Sequence, residues 1–276
     1  MKRFLKNHNA VAGAAIVAAV VLVTLVALGG PWLTPHRYEE TDLLAVWAEP
    51  SRSHLLGGDA LGRDVLSRLI VGARISLLVS ISVLGLTLGV GTLAGMVAGY
   101  FGGWVDALLM RGADVVFAFP ELILAIVVAA MLGPGTRTVI VALAIVWWPG
   151  IARLTRSLVL ALRAEPFVEA AVAGGIPTRL ILWRHLLPNL VAPIVTRASI
   201  GVGFIVTAEA TLSFLGIGVQ EPLPTWGGMI RDGLVSLRTE PYLALSASAA
   251  LGVTIVGFNL LGDGLRDLLD PRVRDR

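Results

Sequence analysis

The sequence predicts an all-α integral membrane protein with six transmembrane helices. Of its 276 residues, 56% are hydrophobic and 15% are charged, whereas soluble domains have about 45–50% and about 25%. The mean hydropathy is +0.82. A water-soluble fold of this size would have to expose much of that apolar surface, so a soluble globular enzyme is excluded.

Long intervals without charged residues predict the membrane spans, because a transmembrane helix needs about 20 mostly apolar residues. Three intervals contain no Asp, Glu, Lys or Arg: 7–36, 75–105 and 241–262. Two more contain one carboxylate each: 115–136 with Glu121 and 198–220 with Glu209. The sixth interval, 138–152, has only fifteen residues. We therefore expect Arg153 to extend its guanidinium toward the lipid headgroups.

The first span could be a signal peptide, since Ala27-Leu28-Gly29 loosely fits a cleavage site. Its apolar run from Ala10 to Leu28 has nineteen residues, which exceeds the usual 7–15 of a signal core. The length favours an uncleaved anchor.

The distribution of positive charge predicts the topology. With the N-terminus inside, 14 Lys and Arg residues lie on the inner side and 8 on the outer side. Both termini are therefore expected in the cytoplasm. The expected segments are a cytoplasmic N-terminus (1–9), a first helix (10–30), an extracytoplasmic segment with an interfacial helix over 59–74 (31–74), a five-helix core (75–262) and a cytoplasmic tail (263–276).

Glycines recur at four-residue spacing in the second span, in two sets: Gly85 and Gly89, then Gly91, Gly95 and Gly99. Glycine on one helix face lets another backbone approach closely. The span is expected to pack against protein, although the pattern could also reflect a glycine-rich composition.

The inner loop over 153–189 is too patterned for a linker, and we interpret it as two short helices. Pro166 suits a first helical position, and Gly174-Gly175 suit a helix end. The second helix is expected to run from a Thr178 cap to Pro188. On the first helix, three- and four-residue spacing predicts a face of small side chains with one aromatic residue, formed by Phe167, Ala170, Ala171 and Gly174. The alternative is a pair of helices lying on lipid headgroups.

These residues resemble the EAA loop of ABC importer permeases: Glu169-Ala170-Ala171, then Gly175, then Leu187-Pro188. Further motifs resemble the second permease subunit of the dipeptide, oligopeptide and nickel importer branch, over nearly the whole chain. They are GGDALGRD at 57–64, SRL at 67–69, GAR at 72–74, FP at 119–120, RHLLPN at 184–189, EA at 209–210, LSFLG at 212–216, WG at 226–227 and FNLLGD at 258–263. His185 departs from the general EAA pattern, and Gly58 and Glu121 are less typical.

The resemblance implies a type I ABC importer permease fold with a cytoplasmic coupling helix, in a bacterial inner membrane. It also implies a second homologous permease, two cytoplasmic ATPase subunits that bind ATP and Mg²⁺, and an extracytoplasmic substrate-binding protein. The ATPase-coupling residues would be Phe167, Glu169, Ala170, Ala171, Gly174 and Gly175. The chain itself should bind no cofactor: a P-loop needs a lysine, and the lysines here are Lys2 and Lys6.

Two polar residues inside spans are candidates for a pathway or gate, namely Glu209 and Asn259. A charge at mid-membrane costs about 2.5–3.5 kcal/mol, so Glu209 should face the bundle or a cavity. Hydrogen bonding between helices is the alternative for both residues. For Glu121, a structural role beside Phe119-Pro120 is favoured.

Outer segments could dock a binding protein, or could be ordinary solvated loops. The candidate docking residues are Arg63, Asp64, Pro222, Pro224 and Trp226. The four histidines show no metal-ligand spacing, so no metal site is predicted.

Other functions are disfavoured. An intramembrane serine protease would need a Ser nucleophile and a membrane histidine, and neither pattern is present. An ion-coupled secondary transporter would not require the patterned inner loop. A net charge of +3 gives no reason to expect a nucleic-acid partner. Peptide and nickel transport remain alternatives within the resembled family.

Overall fold

A computed structural model describes residues 7–29 and 34–269. The regular secondary structure of these residues is helical, and residues 34–64 are mostly loop. The charged terminal residues 1–6 and 270–276 lie outside this range. The helices are α1 (His8–Leu28), α2 (Val65–Phe101), α3 (Gly103–Phe117), α4 (Glu121–Leu132), α5 (Thr136–Arg163), α6 (Pro166–Ala173), α7 (Thr178–Leu180), α8 (Leu187–Phe214), α9 (Trp226–Leu234) and α10 (Tyr242–Leu269).

Five of the expected spans are long apolar helices, which confirms the predicted fold class: α1, α2, α5, α8 with its preceding turns, and α10. The interval 115–136 differs from a single straight span. There α3 and α4 meet at a 93° bend at residues 118–120. With twelve residues, α4 is about 18 Å long and could not cross the hydrocarbon by itself. The residue before a proline disfavours helical dihedrals, which accounts for the break before Pro120.

The expected separate interfacial helix over 59–74 is wrong. Residues 59–64 form a loop, and residues 65–74 are the first turns of the 37-residue helix α2. Asp64 caps this helix, since its carboxylate accepts a hydrogen bond from the Ser67 amide at 2.8 Å.

Helix α5 continues well beyond Arg153, so the inner loop is shorter than expected. The helix ends at Arg163, and the connection to the next helix is brief. Arg153 is exposed, and its guanidinium pairs with Asp114 of α3 and lies 4.2 Å from the centre of the Phe117 ring. Its extension toward the lipid headgroups stays a prediction.

Helix α2 packs against α5 through one of the two glycine sets. A Cβ built on Gly95 would lie 2.4 Å from the Ala152 carbonyl oxygen, and Gly91 and Gly99 approach α5 similarly. A Cβ on Gly85 or Gly89 would meet no atom within 4 Å. The packing prediction therefore holds for Gly91, Gly95 and Gly99 and not for the other pair.

Gly95→Ala should destabilise the folded chain by about 1–3 kcal/mol, because α2 and α5 would have to separate. Gly89→Ala is the matched control and should be neutral or slightly stabilising, since alanine favours a helix. Thermal unfolding of the detergent-solubilised variants measures both effects. Equal unfolding temperatures for the two variants would contradict this packing.

Helix α1 packs against α10 through small residues. A Cβ on Gly13 would lie 2.4 Å from the Leu261 nitrogen, and one on Gly264 would lie 2.3 Å from Ala10 Cβ. The Asn7 side chain also donates a hydrogen bond to Asp267 at 3.1 Å. The first helix is thus part of the bundle.

Candidate functional site

The candidate coupling helix α6 begins and ends as its sequence predicts. Pro166 is the first helical residue and Glu165 is the N-cap. At the other end, Gly175 adopts a φ of +72°, a conformation that favours glycine. The Ile176 amide then donates to the Ala171 carbonyl at 3.1 Å, a bond that closes the helix end.

One side of α6 is anchored within its own chain. Val168 is fully buried and Ala171 is 5% exposed. Both lie in an apolar cluster with residues of α2, α5, the π-helical turn over Ile181–Leu186 and α8: Met96, Val159, Ile181, Leu186, Leu190 and Ile194. The prediction that Ala171 belongs to the exposed face of small side chains is therefore wrong, because its methyl group packs within this internal cluster.

The other side of α6 is uncovered in the single chain. Phe167 is 42% exposed, and Ala170 and Gly174 on the same side are also exposed. Glu169 lies on the exposed surface of the helix as well. This outward face, which we define as Phe167, Ala170 and Gly174, offers one aromatic ring beside two small residues.

Two arginines of α5 join this helix to α3 and α2 just before α6 begins, and sequence reasoning did not identify these contacts. Arg156 forms a bidentate pair with Asp106 of α3. Arg163 donates to the Tyr100 carbonyl at 2.9 Å and lies 5.7 Å from the centre of the Tyr100 ring. Charged residues far apart in sequence gave no signal of these pairings. These contacts connect the end of α5 to α2 and α3.

The second inner helix differs from the expectation. Thr178 is the first helical residue of α7 and Pro177 is its N-cap, so Thr178 is not the cap. The chain then forms a π-helical turn over Ile181–Leu186 and continues directly into α8. It does not stop at Pro188, because proline is accommodated in the first turn of a helix.

A cavity of about 310 Å³ opens between α2, α5, α8 and the bend that joins α3 to α4. Its lining includes the charged residues Glu121 and Arg197, the polar Thr87, and the aromatic residues Phe117 and Phe204. The sequence favours a structural role for Glu121. Arg197 is the charged residue just before the apolar interval 198–220, and a charged residue at the end of an apolar interval does not by itself indicate a cavity.

The two predicted pathway residues do not line this cavity. Glu209 is fully buried and accepts a hydrogen bond from Ser213 at 2.8 Å, one turn along α8. Asn259 of α10 packs against Gly203, where a Cβ would lie 2.6 Å from its side-chain oxygen. These contacts favour helix packing, and a gating role for either residue stays a prediction.

A cluster of four charged residues, which we call the outer ion cluster, joins the loop before α2 to the loop after α8. Its members are Asp59, Arg63, Arg68 and Glu221. Arg68 is 1% exposed. Its Nε lies 3.4 Å from Asp59 Oδ2, and its Nη2 donates a hydrogen bond to Glu221 Oε1 at 3.0 Å. Burial raises the pKa of Glu221, but hydrogen bonds and charges from Arg68 and Arg63 outweigh it and hold that pKa below its ordinary value.

Most of the candidate docking residues are buried. Arg63 is 7% exposed within the outer ion cluster, and Asp64 caps α2. Trp226 is 2% exposed and donates to the Leu69 carbonyl at 3.1 Å. Pro224 is buried, whereas Pro222 is exposed. Direct docking contact therefore stays a prediction for Pro222, and the other four are corrected to supporting residues.

The long apolar helices, the bent pair and the exposed short helix α6 define a polytopic membrane subunit. Residues 91–275 match the family model described as binding-protein-dependent transport system inner membrane component. Residues 1–50 match the N-terminal transmembrane domain of oligopeptide transport permease C. The chain belongs to the binding-protein-dependent permease family.

Several relatives are similar over nearly their full length. The dipeptide transport system permease protein of Alkalihalophilus pseudofirmus is 40% identical, with 99% of this chain and 89% of that protein covered. The glutathione transport system permease protein of Pectobacterium atrosepticum is 41% identical, with 99% and 90% covered. The oligopeptide transport system permease protein of Haemophilus influenzae is 38% identical, with 99% and 88% covered.

Proposed function

We propose that this chain is a permease subunit of an ATP-driven importer for di- or oligopeptides. The observation that carries the proposal is its full-length similarity to permeases named for dipeptide, glutathione and oligopeptide transport. The names share a peptide substrate, which favours peptide over nickel or another small solute. An ion-coupled secondary transporter is disfavoured by membership in the binding-protein-dependent family.

The cavity beside the α3–α4 bend is our candidate for this chain's part of the translocation pathway. A peptide carries an ammonium and a carboxylate group at its ends, and Glu121 and Arg197 offer the opposite charges in one cavity. Thr87, Phe117 and Phe204 add polar and aromatic contacts that do not require one particular side chain on the peptide. A second permease facing this cavity would complete the pathway.

The outward face of α6 is our candidate for the ATPase contact. The short helix is held to the chain by Val168 and Ala171. The preceding helix α5 is joined to α3 by Arg156 and to α2 by Arg163. A push on its outer side would therefore reach α2, α3, α5 and α8 as one unit. This is how ATP hydrolysis in a partner subunit would move the pathway helices without chemistry in this chain.

The ion pairs and hydrogen bonds support the way in which the proposed topology divides the segments between the two sides of the membrane. Those between Arg156 and Asp106, and between Asn7 and Asp267, join residues that this topology puts inside. The pairs of Arg63 and Arg68 with Glu221 join residues that it puts outside. A reversed assignment of any one span would separate some of these partners.

Introduced thiols test this topology directly, because the chain has no cysteine. We expect an impermeant maleimide to label Ser53→Cys in intact cells and to label Val172→Cys only after lysis. Both side chains are exposed, so access through the protein does not limit the reaction. Labelling of Val172→Cys in intact cells would contradict the orientation.

The transport proposal is tested by reconstitution in proteoliposomes with the second permease, both ATPase subunits and the binding protein. We expect uptake of a labelled dipeptide or oligopeptide that requires ATP and the binding protein. The same vesicles given nickel ions serve as the comparison. Nickel uptake without peptide uptake would overturn the peptide proposal, and peptide uptake driven by an ion gradient without ATP would overturn the ABC mechanism.

A further inference from the structure

We propose that His36, His54 and Asp64 form a divalent transition-metal site, suited to Zn²⁺, that fastens the outer segment to the start of α2. One ligand atom from each residue lies within 4.8 Å of the others. The three residues are separated by 17 and 9 intervening positions, so no short motif reveals them in the sequence.

The separations suit a common metal ion. His54 Nδ1 lies 3.1 Å from Asp64 Oδ1, and His36 Nδ1 lies 3.8 Å from the same oxygen. Two ligands of a tetrahedral zinc, each bound at about 2.1 Å, lie about 3.4 Å apart. The two imidazole rings are stacked with their centres 4.7 Å apart. The His36 side chain is 38% exposed, so its ring has room to close on the ion.

The electrostatics of Asp64 also favour a cation. Its side chain is 1% exposed, and its ion-pair partners among the described residues are these two histidines, which carry charge only when protonated. Arg63 and Arg68 do not neutralise the negative charge of Asp64, because both form ion pairs with Asp59 and Glu221. A buried carboxylate needs a positive partner, and a divalent ion supplies one at neutral pH.

His54 Nδ1 and Asp64 Oδ1 share one hydrogen bond, which a bound ion would replace, and the other hydrogen bonds of the site do not use the metal-binding atoms. Asp64 Oδ2 accepts from the amide and hydroxyl of Ser67, which leaves Oδ1 facing the histidines. Ser67 Oγ in turn accepts from the His36 amide at 3.1 Å, so the cap of α2 orients two of the three ligands. His36 Nδ1 is buried and has no hydrogen-bond partner among the described residues.

Two nitrogens and one carboxylate oxygen are a ligand set for Zn²⁺ and related transition metals, and a poor one for Mg²⁺ or Ca²⁺. Three protein ligands leave a fourth position for water. An ion here would join residues 34–64 to α2 beside the outer ion cluster, and it would do so independently of the transported substrate.

The test is metal binding by the full chain in detergent, purified through a histidine-free tag and stripped with a chelator. We expect one Zn²⁺ per chain by equilibrium dialysis and elemental analysis, and a Co²⁺ visible spectrum typical of a tetrahedral site. His36→Ala and His54→Ala should each weaken Zn²⁺ binding at least about 10-fold. His8→Ala and His185→Ala are matched controls and should bind as the unmodified chain does.

Asp64→Asn keeps an acceptor for the Ser67 cap while weakening the metal ligand, which separates binding from folding. Retained fold with lost Zn²⁺ binding is the expected result. The proposal is overturned if the unmodified chain binds less than about a tenth of an equivalent of Zn²⁺, or if the controls lose binding as much as His36→Ala and His54→Ala do. Peptide uptake is not part of this readout, so failure here leaves the transport proposal untouched.

Discussion

Ala170→Arg should abolish ATP-driven uptake and recovery of the ATPase subunits with the chain, while leaving membrane insertion unchanged. Ala170 is exposed on α6, so an arginine there meets no atom of its own chain. A partner seated on the outward face would have to accommodate a long cation between Phe167 and Gly174. A helix resting on lipid headgroups would accept it and gain about 1 kcal/mol from anionic lipid.

Ala170→Ser is the matched control, because it changes polarity with little change in volume, and it should keep uptake and assembly. Ala171→Arg is unsuitable as a test of partner contact, since Ala171 lies inside the chain's own cluster. Glu169→Gln should be mild, because it removes a charge near the helix N-terminus and no packing surface. Normal assembly and uptake by Ala170→Arg would exclude the outward face as the coupling surface.

Arg68→Ala should destabilise the chain by about 3–5 kcal/mol, the usual cost of removing one partner of a buried ion pair. Asp59 is 2% exposed, and its remaining ion-pair partner among the described residues would be Arg63, which it shares with Glu221. The connection between the loop before α2 and the loop after α8 would weaken accordingly. The unfolding temperature of the detergent-solubilised chain and its resistance to trypsin report the change.

Arg52→Ala is the control for Arg68→Ala, because Arg52 is an exposed arginine of the same outer segment. It should change stability by no more than about 0.5 kcal/mol. If both variants unfold at the same temperature, the outer ion cluster does not stabilise the fold.

Local features of the fold were predictable from the sequence. The lengths of the uncharged, apolar intervals predicted the five long helices. Pro166 and the Gly174-Gly175 pair predicted the two ends of α6. These signals depend on neighbouring residues and on dihedral preferences, which act within one or two turns. The four-residue spacing of glycines in α2 was likewise visible in the sequence. The sequence did not indicate which of the two glycine sets contacts another helix.

Features that depend on distant residues were not predictable. The pairing of Arg153 with Asp114 and that of Arg63 with Glu221 each join residues far apart in the sequence. Ala171 could not be distinguished from Ala170, because both are alanines within the predicted face. The packing of α6 against α5 and against the π-helical turn before α8 decides which of them is buried. The bend between α3 and α4 is a different case, because Pro120 is a local signal of a break, although the composition of the segment looked like one span.

Cross-linking from Ala170→Cys tests most directly whether α6 contacts the ATPase. The variant would carry one thiol in a chain without native cysteine, within the assembled importer. A linker that joins a thiol to an amine should give a product with an ATPase subunit from Ala170→Cys and none from Ser53→Cys, on the opposite side of the membrane. If Ala170→Cys reacts fully with a simple maleimide in the assembled importer and gives no ATPase product, the coupling account is contradicted.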